Sequence, residues 1–149
     1  ASASRTYNTN TMTLKESSIY VRLRRLRKLL YEAQFLMDKA NRVIYGTPIM
    51  QASAETMKNY VLAFTIKEEK LKYINMAVGW YAVLRTDLDF CVEENLIHYA
   101  KRKPKAGKAM TAEDYVSSKK VELFEIVARI DDEMLKYRAS LAKGKAIVG

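Results

Sequence analysis

From Ile19, alternating steps of four and three residues land on Leu23, Leu26, Leu30, Ala33, Met37, Ala40 and Ile44. Every landing is apolar, which is the repeat of a helix that lays one seam into a core. Between these positions, "YVRLRRLRKLL" (residues 20–30) sets Arg22, Arg24, Arg25, Arg27 and Lys28 off the seam. The pattern predicts a first helix capped by Ser17 or Ser18 and running to about Tyr45. Gly46-Thr47-Pro48 reads as a stop and restart. A second helix then carries Ala54, Met57, Val61 and Phe64 on its seam, and β-branched Thr65 and Ile66 mark a weak break. The third helix runs through Ile74, Ala77, Tyr81, Leu84, Leu88 and Cys91 and ends near Ala100. After the linker "KRKPKAGKAM", Thr111 and Asp114 resemble a capping box. The fourth helix follows with Val116, Leu123, Val127, Ile130, Met134, Tyr137 and Leu141. No stretch alternates as a strand would.

Four long helices with short connections predict an all-α, up-down antiparallel four-helix bundle over residues 15–142. A polar, disordered segment (1–14) is expected before it and a basic tail (143–149) after it. At 149 residues and 49% hydrophobic content the chain is long enough for one domain with a real core. No run approaches the roughly eighteen apolar residues of a membrane span. Cys91, the single cysteine, cannot form an internal disulfide and fits a reducing, cytoplasmic setting.

Charge changes the picture more. The formal net charge is +9, and the cations are segregated. Lys15 to Arg42 holds eight basic residues against Glu16, Glu32 and Asp38, and Lys101 to Lys108 holds five with no acid. A solvated helix usually interleaves Glu with Lys, whereas "RLRRLRK" contains no acid. A surface for phosphates fits this arrangement, since Arg and Lys supply affinity for a nucleic-acid backbone without reading bases. Tyr20, Tyr31 and Tyr45 are candidates for base stacking, although helically spaced tyrosines more often pack.

Catalytic motifs are lacking. A di-iron bundle needs two Glu-x-x-His pairs, and this chain has one histidine, His98, with Glu94 four positions before it. No Gly-rich phosphate loop, nucleophile triad or Cys-x-x-Cys pair occurs, so neither catalytic residue, metal nor cofactor is expected. One enzyme class survives composition, an all-helical mutase that clamps a dianion with inward arginines. It conflicts with arginines lying off the seam.

The runs "LKYINMAVGWYAVLRTDLDF" (71–90) and "AMTAEDYVSSKKVELFEIVARIDDEMLKYR" (109–138), above all "AVLR", "AMT" and "EIVARI", resemble the four-helix-bundle accessory proteins of diversity-generating retroelements. That family is similar to the bundles encoded in ribosomal-RNA intervening sequences, which stand as the alternative without a reverse transcriptase. The resemblance implies a homopentamer that binds the retroelement's reverse transcriptase and its RNA or cDNA, in support of mutagenic cDNA synthesis. It adds Arg85 to the expected nucleic-acid contacts, which otherwise are Arg22, Arg24, Arg25, Arg27, Lys28, Lys101, Arg102, Lys103, Lys105 and Lys108. Asp89 stands where the family carries a second basic residue, and Asp132-Glu133-Met134 where it carries Gly-x-Trp. Helix one and the linker must therefore provide more of the contact.

Overall fold

A computed structural model describes residues 12–99 and 112–148. The segment before Met12, the cations Lys101, Arg102, Lys103, Lys105 and Lys108, and the Thr111 cap lie outside the described residues. Those residues are helical with no strand, and four helices dominate: α1 (Ser18–Gln34), α2 (Thr47–Thr65), α3 (Lys70–Glu93) and α4 (Ala112–Val148). Single 3₁₀ turns, Leu14–Glu16 and Lys67–Glu69, precede α1 and α3. α1 packs on α2 and α4, and α3 on the same two, with α2 and α3 sharing the most extensive pairing. The core between them comprises Leu23, Leu26 and Leu30 of α1, Ile74, Ala77, Tyr81, Leu84, Leu88 and Cys91 of α3, and Leu123, Val127, Ile130 and Met134 of α4. The seam of α3 thus lies where hydropathy puts it, as does that of α4 from Leu123 to Met134, with Tyr137 and Leu141 half-buried beyond it and the Val116 side chain outside the described residues.

Ser17 is the α1 cap, its Oγ accepting the Tyr20 N–H at 3.3 Å. The same hydroxyl lies 2.5 Å from the Tyr60 phenol, which ties α2 to the start of α1. A second buried tether joins α3 to α4, where the Tyr81 hydroxyl donates to the Val127 carbonyl at 2.6 Å. Such buried hydroxyls need partners, because desolvation without one costs about 1–3 kcal/mol.

α1 ends eleven residues earlier than its periodicity predicts. The N–H groups of Phe35, Leu36 and Met37 turn to carbonyls three residues back, and Asp38 is extended. Distant groups bind the carbonyls at this break, the Gln34 oxygen accepting a second bond beside that from Met37. Arg42 donates from Nε to Gln34 at 3.1 Å and from Nη2 to Met37 at 3.4 Å, while the His98 N–H donates to Leu36 at 2.8 Å. Past the break, Ala40 and Ile44 face outward, with Ile44 58% exposed. One α-helical turn (Lys39–Asn41) and a π-helical one (Arg42–Gly46) then lead directly into α2.

Gly46 is therefore no stop, being helical and buried. A Cβ there would lie 3.3 Å from the Gln34 Cβ, so glycine's use is to let this turn approach the end of α1.

The buried face of α2 is Ile49, Ala52, Ser53, Thr56, Asn59, Tyr60 and Ala63, and not the expected stripe of Ala54, Met57, Val61 and Phe64, which is half-buried. Ser53, Thr56 and Asn59 are tolerated inside because each donates to a carbonyl of its own helix, to Met50, Ala52 and Glu55 at 2.7–2.8 Å. Their small size allows a close helix approach.

The expected weak break is real: α2 stops at Thr65 and Ile66 is extended. α3 stops at Glu93, short of Ala100. Asn95 adopts a positive φ of 56°, and the N–H groups of Asn95 and Leu96 return to Val92 and Cys91 at 3.1 and 2.8 Å. This is a Schellman stop, with asparagine in glycine's usual place.

Candidate nucleic-acid interface

The five cations of α1 fall into two groups, decided by the angle at which each leaves the helix. Arg22 and Arg25 point along the edge that meets α4. Arg25 makes a two-pronged pair with Glu122, Nε to Oε2 at 2.7 Å and Nη2 to Oε1 at 2.8 Å. Arg22 pairs with Glu133, whose carboxylate also accepts the Ser18 hydroxyl. Hydrogen bonding to Arg25 holds the Glu122 carboxyl below its ordinary range, and the same bond raises the Arg25 guanidinium. Further along this seam Lys119 of α4 lies 4.0 Å from Glu32. Arg85 on α3 is likewise occupied, 2.8 Å from Asp131 of α4 and 4.0 Å from Asp89. Acids that look like neutralisers of α4's own lysines in the linear sequence thus serve arginines of α1 and α3.

Arg24 and Lys28 belong to the other group. They stand on the outward face, exposed, one turn apart, with no ion pair among the described residues. Arg27 is intermediate, its Nε enclosed with no hydrogen-bond partner among the described residues.

The stripe that begins with Arg24 and Lys28 continues at the same spacing to two aromatics. Tyr31 and Phe35 are 55% and 51% exposed, with ring centroids 5.1 Å apart and planes at 78°. The Arg42 guanidinium sits 5.1 Å from the centre of the Phe35 ring. Because that guanidinium is also bonded to the Gln34 and Met37 carbonyls, it fixes one side of the Phe35 ring to the end of α1. Of the other candidate tyrosines, Tyr20 packs against the core, and Tyr45 packs there too, 5.3 Å from the Phe90 ring. Phe35 carries no seam signal. Its place three steps of the outward face beyond Arg24 is the cue that could have found it.

No cluster of three or more His, Cys, Asp or Glu residues suited to a metal occurs among the described residues. The buried polar side chains there are Ser17, Ser53, Thr56 and Asn59, none of them charged, so no inward arginine clamp is present among those residues. Cys91 is enclosed, and burial pushes its thiol up to about 11, away from thiolate chemistry at neutral pH. His98 lies 3.5 Å from Asp38 through Nε2, at the same junction where its N–H closes the end of α1. No described helix is long and apolar enough to cross a membrane.

Comparison with protein-family models, with curated proteins and with solved structures finds no match to this chain.

Proposed function

We propose that this chain is a non-catalytic accessory protein of a diversity-generating retroelement, an up-down antiparallel bundle that binds the reverse transcriptase and its RNA or cDNA. The observation that carries the reading is the outward pair Arg24 and Lys28, exposed and without ion pairs among the described residues. Unpaired cations on a rigid helix gain most from phosphates, since no existing partner must be given up. The linker cations Lys101, Arg102, Lys103, Lys105 and Lys108 extend the phosphate-binding role in this reading. The resemblance of residues 71–90 and 109–138 to the accessory family supplies the polymerase partner.

Assembly into a homopentamer is part of the same proposal. Its support is the outer face of α3, where Met76, Val83 and Phe90 recur every seven residues at 44%, 49% and 42% exposure. A row of this kind suits burial against another copy.

Three measurements test the reading. Light scattering at micromolar concentration should give a mass of five chains, and a diversity-generating reverse transcriptase should co-elute with the protein. Fluorescence anisotropy with a labelled single-stranded RNA should show binding that weakens steeply with salt. A monomer that retains neither the polymerase nor the RNA at low salt would overturn it.

A further inference from the structure

We infer that the outer face of α1 is a binding track for single-stranded nucleic acid, in which Tyr31 and Phe35 form a base-stacking corner and Arg24 and Lys28 hold the adjoining phosphates. This rests on the nucleic-acid reading above and goes beyond it by naming the strandedness and the residues.

The geometry favours a single strand over a duplex. Arg24, Lys28, Tyr31 and Phe35 follow one another at intervals of four, three and four residues, so they lie in a narrow row about 16 Å long. Two cations therefore precede two rings along one line, the order a flexible strand can follow with backbone and bases in turn. In a duplex the base faces are already stacked, so the rings have nothing to receive and only the cations act.

About half of each ring is open to solvent, and neither belongs to the buried core. Planes at 78° cannot both lie flat on one base. One ring takes the face of a base while the other borders its edge. The mount is stiff, because the guanidinium over Phe35 is itself bonded to two helix-end carbonyls. Stacking on a held ring loses less side-chain freedom than stacking on a loose one. It is also tolerant of sequence, because every base has a π face.

The test uses the full chain and four oligonucleotide probes: an unstructured RNA, the DNA of the same sequence, and the duplex of each. Tyr31→Leu/Phe35→Leu keeps helix-compatible apolar residues at exposed positions, and circular dichroism confirms that the fold is kept. Single-strand binding should weaken on the order of tenfold or more, with an unchanged log-log salt slope and unchanged duplex binding. Tyr31→Phe/Phe35→Tyr should bind as the parent does. Arg24→Gln/Lys28→Gln should make the salt slope shallower by about 0.7 for each phosphate no longer neutralised. If the leucine variant binds single strands as the parent does while the glutamine variant is weakened, the stacking corner is wrong and the charge reading stands. If the parent binds duplex as tightly as single strand, the track is wrong. If the parent binds none of the probes, the nucleic-acid reading itself falls. RNA and DNA titrations with equal outcomes support recognition through bases and phosphates, the chemistry both share.

Discussion

Arg24 and Arg25 are adjacent in sequence and opposite in circumstance. A rotation of roughly 100° about α1 separates them. It takes Arg25 to the edge of α4, where both prongs of its guanidinium are held by Glu122, and leaves Arg24 exposed on the outward face. One residue fastens helices together and the other is available to a ligand. Counted by sequence both belong to a single acid-free run. Counted in space, α4 has already neutralised part of it. The useful measure of a basic patch is thus the charge left over after neighbouring elements have been served.

The comparison is open to experiment, and the largest effect comes from taking the scaffold away. Burial raises the Cys91 thiol from 9.0 to about 11 and the Tyr99 phenol to about 12, and it pushes Tyr81 higher still. Each group is neutral in the fold and free to ionise when unfolded. Stability is therefore whole below about pH 9 and falls as pH rises through 11, by on the order of 2 kcal/mol from Cys91 alone. Thermal melts by circular dichroism between pH 8 and 11 should show this decline, and Cys91→Ala should remove its first part.

Next in size is the direct contrast of the two arginines. Arg24→Gln should weaken RNA binding several-fold and make the salt slope shallower by about 0.7. Arg25→Gln should leave both unchanged and lower stability by up to about 1 kcal/mol, the range of partly exposed ion pairs. Equal effects on binding from the two substitutions would erase the distinction. The smallest effect sharpens it from the other side. Glu122→Gln costs a few tenths of a kcal/mol in denaturant unfolding, yet it releases Arg25. Affinity for RNA should rise, and the salt slope should steepen.

Hydropathy alone finds the buried seam of α3 and that of α4 from Leu123 to Met134, because these stripes are apolar and local. It misplaces the buried face of α2, since Ser53, Thr56 and Asn59 count as polar although each closes a hydrogen bond on its own helix. It also carries α1 past its end. What stops that helix is Arg42 eight residues on and the backbone of His98 more than sixty residues on, and a periodicity samples neither. For the candidate interface, the segregation of cations is legible in the sequence and their division into paired and unpaired is not. That division depends on Glu122, Glu133 and Asp131, which reach α1 and α3 only once the helices have packed. Phe35 is hidden for a related reason: its position has meaning only as part of the outward face that Arg24 begins.

The inward hydroxyls and amide of α2 have a mechanical consequence. Bonds that close within one helix say nothing about where that helix stops along its neighbour, so Ser53, Thr56 and Asn59 add no notch to fix axial position. Sliding α2 lengthwise would break none of the three. Its registration rests instead on the fit of small side chains and on two end fastenings, the Arg42-held turn that runs into its start and, near its other end, the Ser17–Tyr60 hydroxyl pair. α2 is in effect a smooth rail pinned at both ends.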